Sequence, residues 1–188
     1  MGDTLITVVA IFLAAILMFV FPLMSIAERN DDISQLGVQT ATVDFVDNIR
    51  STGKITQSNY SSFVQTLAAT GNSYDIEMEV KILDENPGKK SAQVSKDKIG
   101  ENVYYSIYTT QIEADLIASD KADSADGKTE NGSGIKRLKE GDMVSVTVKN
   151  TNSTIAQILK NFVYSIAGND TYQIAAQHGG VVMTNGGK

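Results

Sequence analysis

The residues from Leu5 to Ile26, LITVVAIFLAAILMFVFPLMSI, include no charged side chain. As a single helix, these 22 residues rise about 33 Å at about 1.5 Å each, enough to cross a hydrocarbon core of roughly 30 Å. Charge returns abruptly at Glu28, Arg29, Asp31 and Asp32. A buried core helix is a poor rival for so long an uncharged run. A cleavable secretory signal fails on chemistry, because Met1-Gly2-Asp3 supplies no basic segment and the apolar run is too long. The expectation is a retained anchor over residues 1–27 that crosses the lipid bilayer once. Only Arg29 supplies a cation beside the span, so the short N-terminus carries the orientation and favours a head outside the cytoplasm.

Within the span, Thr7, Ala10 and Ala14 set small side chains three and four residues apart, which lets another helix approach closely in lipid. Pro22 removes one helical N–H and clashes with the preceding turn, so it either kinks the helix near Met18 or marks where the chain leaves the bilayer. These four residues are the candidate helix-assembly positions. Their expected partners are lipid and other membrane helices, a second copy of the chain included.

Outside Leu5–Ala27 the chain is polar: it carries all 16 basic and 22 acidic residues, and its hydrophobic fraction drops to about 36%, suited to one modest domain. A net charge of −6 argues against nucleic acid as a partner, since affinity for phosphates rests on basic side chains. With no cysteine there is no disulfide framework, thiolate nucleophile, zinc–thiolate site or iron–sulfur cluster, and one histidine excludes a multi-histidine metal centre within one chain.

Asp31 or Asp32 is placed to cap a turn, followed by apolar residues at Ile33, Leu36, Val43, Val46 and Ile49, which predicts an amphipathic helical extension over residues 28–53. Continuous with the span, it makes a rod of about 70 Å with Gly37 as its weak point and Thr52-Gly53-Lys54 as its stop. The head, residues 54–188, then opens with a helix over Gln57–Ala69 that buries Tyr60, Phe63, Val64 and Leu67 and ends at Gly71. Strict alternation of Tyr74, Ile76, Met78, Val80 and Ile82 with charged residues predicts a strand over Tyr74–Leu83. A turn follows at Asn86-Pro87-Gly88, then a polar connection over Lys89–Gly100. Val103–Tyr108 has no clear periodicity. Thr110 with Glu113 has capping-box spacing and predicts a helix over Gln111–Ala118.

The stretch 119–134, SDKADSADGKTENGSG, offers nothing larger than alanine to bury, which predicts a mobile loop. After a turn at Glu140-Gly141-Asp142 comes a strand over Met143–Lys149. A helix capped by Asn152 or Ser153 follows, its stripe of Ile155, Ile158, Leu159, Phe162, Val163 and Ile166 packing on the sheet until Gly168. Tyr172–Gln177 reads as a last strand, with His178 in a turn and a flexible, glycine-rich terminus after at most a short edge strand. The fold class is α+β: a long N-terminal helix followed by a small antiparallel or mixed sheet packed by helices.

Chemistry is sparse. Phosphate-loop, dinucleotide, nucleophile-elbow and zincin motifs are absent. Asp120, Asp123, Asp126, Gly127 and Glu130 lack the spacing of a calcium loop. Glu77 and Glu79 share a strand face, but one that suits solvent better than acid catalysis. No catalytic residue, cofactor or metal site is expected, and the chain does not read as an enzyme. Asn59, Asn131, Asn152 and Asn169 begin glycosylation sequons, relevant only in a eukaryotic secretory pathway.

The apolar N-terminus MGDTLITVVAIFLAAILMFVFPLM, with its proline and its amphipathic extension into an α+β head, resembles type IV pilins and pseudopilins. It is most similar to the small single-pass minor pilins of tight-adherence and related bacterial systems. The resemblance covers residues 1 to about 50 directly and the head only in architecture. It implies a structural component of a surface, secretion or conjugation apparatus, assembled with pilus or secretion subunits through packed membrane helices. Gly2 then corresponds to the residue before a prepilin-type cut, and Thr7 stands where such families carry a glutamate. The alternative is a membrane-tethered module whose sheet and 119–134 loop bind a peptide, glycan or ion.

Overall fold

A computed structural model describes residues 2–83, 104–121, 134–164 and 174–187. The first element, α1 (Gly2–Thr52), is one helix of 51 residues, about 75 Å long. It passes Pro22 and Gly37 without a break, so neither Asp31 nor Asp32 starts a new turn. It stops where the sequence places the stop, at Gly53, whose φ of 65° needs a residue without a Cβ. Gly2–Thr52 contains a segment long and apolar enough to cross a membrane, and no residue of that segment is buried among the described residues.

β1 (Lys54–Thr56) leads into α2 (Gln57–Ala68), capped by the Thr56 hydroxyl, which accepts from the Asn59 N–H. β2 (Tyr74–Leu83) and β3 (Tyr104–Tyr108) follow, so the ambiguous segment before Thr109 is a strand. α3 (Thr109–Lys121), β4 (Ile135–Arg137), β5 (Met143–Asn150), α4 (Ile155–Tyr164) and β6 (Ala175–Val181) complete the order. Four strands form one sheet in the order β3-β2-β5-β6, every neighbouring pair antiparallel. β1 and β4 form a separate antiparallel pair.

The C-terminal part of α1 is the centre of the head. Val38, Phe45, Val46 and Ile49 form one buried cluster with Met78, Val80, Val144, Val146 and Val148 from the sheet. From α2, Phe63 stacks on Phe45 with ring centroids 4.4 Å apart. Burying this cluster is the main driving force for the head, at roughly 1.5–3 kcal/mol per fully covered aliphatic or aromatic side chain.

Several expectations change here. Along α1 the buried face runs through Asp31, Ser34, Val38, Thr42, Phe45, Val46 and Ile49, while Ile33 and Leu36 are exposed. The small side chains of Ser34 and Thr42 sit where the helix meets the head, so steric fit as well as hydropathy sets the rotation. Val64 of α2 is exposed and Tyr60 only half-buried. α3 begins before Thr110, and Gln111 rather than Glu113 accepts from the Tyr108 N–H at its start. Glu113 instead accepts from the Tyr60 hydroxyl.

α4 is capped by Thr154, not Asn152 or Ser153: its hydroxyl accepts from the Gln157 N–H, and the Gln157 side chain accepts from the Thr154 N–H. α4 packs on α1, with Ile155 and Ile158 left exposed, while the side chains of Phe162 and Val163 lie outside the described residues. β6 continues through His178, Gly179 and Gly180, so His178 is a strand residue opposite Val146 and not a turn. The terminus is held too. Val182 is buried and exchanges backbone hydrogen bonds with Gly141 and Asp142, and the Gly186 N–H donates to Leu138. The segment read as a loop from Ser119 starts as helix up to Lys121. Its remainder, the turn at 86–88, the connection at 89–100 and the stretch from Ser165 to Gln173 lie outside the described residues.

Candidate functional site

Between Leu5 and Ile26, fourteen large apolar side chains are exposed, from 50% at Val9 to 74% at Met18. A helix facing water ordinarily carries charge on at least one face; this stretch carries none around its whole circumference. The Thr7 hydroxyl donates to the Asp3 carbonyl one turn back at 2.8 Å, which satisfies its hydrogen without water. Thr7, Ala10, Ala14 and Pro22 are all exposed. At 100° per residue they fall within roughly 120° of the helix circumference, on one face that no described residue covers. Thr7, Ala10 and Ala14, picked out by spacing, and Pro22, picked out by its missing N–H, thus lie along one side of α1.

The second feature is one that sequence reasoning missed. Where the apolar segment enters the head, α1, the turn after α2 and the start of α4 line a cleft of about 680 Å³. Leu23, Ile26, Ile33 and Ile155 line it with apolar surface, and Arg29 and Asn30 add polar groups. Asp31, only 5% exposed, closes its inner end and accepts from the Thr154 hydroxyl at 2.7 Å. Beside it Asn152 fastens the loop after α2, accepting from the Ser73 N–H at 2.9 Å and donating to Asn72 at 3.1 Å. One turn up, the Gln35 amide donates to the Ala175 carbonyl at 2.7 Å and accepts from the Ala175 N–H at 3.0 Å, fixing the start of β6 to α1. The one sequence signal for this junction is spacing: carried back from Ile49 through Phe45, Thr42, Val38 and Ser34, the buried stripe reaches Asp31.

At the far end of α1, Asp47 accepts from Arg50 at 2.7 Å and stands 3.3 Å from His178 Nε2. The Arg50 hydrogen bond, then the His178 one, holds the Asp47 carboxyl below its ordinary range. Arg50 Nε also donates to the Val181 carbonyl, and only a glycine at position 180 leaves it room: a Cβ there would lie 2.5 Å from that nitrogen. The cluster latches α1 to β6. Glu77 and Glu79 stay on the outer sheet face, Glu77 with Lys149 at 3.4 Å and Glu79 accepting from Ser106 at 2.7 Å. The Tyr60 phenol is pushed above its ordinary value by burial and then by the neighbouring Glu113 carboxylate.

No family model, curated protein or solved structure matches the chain.

Proposed function

We propose that this chain is a single-pass, membrane-anchored structural component of a bacterial surface or secretion apparatus, of the minor-pilin or pseudopilin kind, with its head outside the cytoplasm. The observation that carries this reading is the division of α1. One uninterrupted helix offers an exposed apolar half and then supplies part of the core of the head. In water, the fourteen exposed side chains would cost on the order of 20 kcal/mol. Transfer of that surface out of water is the gain that supports a surrounding of lipid or partner helices.

The shared helix also suits a structural role. A force or packing constraint applied to the anchor reaches the head through continuous helical backbone and the latches at Gln35 and Arg50, not through a flexible linker. The side chains with the greatest chemical potential, Glu77, Glu79 and His178, are engaged in ion pairs and hydrogen bonds that hold the fold, which is why we favour a structural component over an enzyme.

The test is photo-crosslinking in native membranes, with the crosslinker placed at Ala14 on the small-residue face or at Phe12 on the opposite side. Protein adducts from Ala14, to the same chain or another membrane helix, and lipid adducts from Phe12 are expected. Lipid adducts alone from both positions would reject assembly through this helix. Protease treatment of intact cells addresses orientation: a head digested only after the membrane is opened would place it in the cytoplasm.

A further inference from the structure

The cleft at the foot of the head has one wall in the proposed span, at Leu23 and Ile26, and the other in the head, at Ile33 and Ile155. If hydrocarbon ends near Ile26, the headgroup layer is roughly 5–8 Å deep and covers about five further residues of helix, Ala27 to Asp31. The cleft therefore opens at headgroup depth, and Arg29, which makes no ion pair with any described residue, stands in that layer. Ile155 is 71% exposed and Ile158, one turn along α4, 58% exposed. Ile33 and Ile155 share the cleft lining, so the exposed apolar surface at the foot of the head is continuous with it.

We propose that the head is seated on the bilayer: phospholipid fills the cleft, acyl chain against Leu23 and Ile26, and the first turn of α4 inserts Ile155 and Ile158 at the headgroup boundary. This rests on the reading that α1 spans the membrane. Lipid is the occupant because the cleft is continuous with the lipid-facing surface of the span, so any bilayer around Leu23 and Ile26 reaches its mouth. The charges refine the lipid class. Glu28 and Asp32 flank Arg29, so the collar is net acidic and anionic lipid gains nothing over a zwitterionic phosphate. Seating is thus driven by apolar contact and is insensitive to salt. Its consequence is a head fixed in height and tilt relative to the membrane.

The chain contains no tryptophan, so single substitutions report one position each. The full chain is reconstituted in phosphatidylcholine nanodiscs as Ile155→Trp, Ile158→Trp, Phe12→Trp and Met183→Trp, the last at the exposed far end of the head. Quenching by phosphatidylcholine brominated near the headgroup is compared with quenching by aqueous acrylamide. Lipid quenching at positions 155 and 158 is expected to exceed that at 183 by about threefold, unchanged in high salt. Lipid quenching at position 12 together with equal acrylamide quenching at 155, 158 and 183 would overturn the seating while leaving the span intact. No lipid quenching at position 12 would remove the span itself and the seating with it.

Discussion

Replacing Gly53 with alanine is expected to unfasten the far end of the head. Gly53 sits at a φ of 65°, and a Cβ there would lie 2.2 Å from the Thr184 carbonyl oxygen and 2.6 Å from the Gly186 nitrogen. Both are backbone atoms, so neither can rotate away. The left-handed conformation costs alanine about 1–2 kcal/mol, of which the stiffer unfolded chain adds back about 0.4–1 kcal/mol. Making room displaces the C-terminal segment, and with it the Gly186 N–H to Leu138 and Leu138 N–H to Gly53 hydrogen bonds of 2.9 and 2.8 Å. At about 1 kcal/mol each, these bring the total to roughly 3 kcal/mol. Gly71 is the matched control: its φ is 80°, but nothing lies within 4 Å of its missing Cβ, so Gly71→Ala is expected to cost only about 1 kcal/mol. The difference of about 2 kcal/mol corresponds to a midpoint separation of about 1 M in urea at a slope near 2 kcal/mol/M. Urea unfolding of the full chain in a mild detergent, followed by far-ultraviolet circular dichroism, measures it. Coincident midpoints for the two variants would refute the close packing of the terminus on Gly53.

Three further outcomes follow from individual contacts. Thr154→Val leaves the buried Asp31 carboxylate without its hydroxyl donor and should lower stability by about 2 kcal/mol in the same urea assay, whereas Thr154→Ser, which keeps the donor, should stay within about 1 kcal/mol of the parent. Because the Tyr60 phenol is raised above 10.0, its contribution to stability is complete below that pH and is lost as pH rises beyond it; Tyr60→Phe should flatten the alkaline limb of the melting-temperature profile, and an unchanged limb would contradict the assignment. Asp47 is shifted the other way, below 3.8, so its contribution is present above that pH and disappears as pH falls through the lowered value; melting temperatures of the parent and Asp47→Asn should converge in acid and separate at neutral pH.

Wherever one period or one stop signal dominated, the elements were legible in the sequence. Residues 74–83 alternate strictly, and β2 has those bounds; Gly53 ends α1 and the 143–149 alternation lies within β5. Legibility failed where a side chain's partner lies far along the chain. His178-Gly179-Gly180 has the composition of a turn, yet it is β6, because its backbone pairs with β5 and Arg50 occupies the space a Cβ at position 180 would fill. Thr110 and Glu113 have the spacing of a capping pair, but Tyr60 claims Glu113. Asp31 reads as a helix cap, and only Thr154, 123 positions away, makes it a buried hydrogen-bonded group in a continuous helix.

The sequence by itself determined the span-length apolar helix, the α+β class and the small-residue face of Thr7, Ala10 and Ala14, because hydropathy, composition and helical spacing are properties of neighbours in the chain. Tertiary structure alone decided which face of α1 enters the head, that α4 lies on that helix with Ile155 uncovered, and that a cleft forms where Leu23 meets Ile155. Those outcomes depend on steric fit and polar pairing between residues brought together only by folding, and no local pattern encodes them.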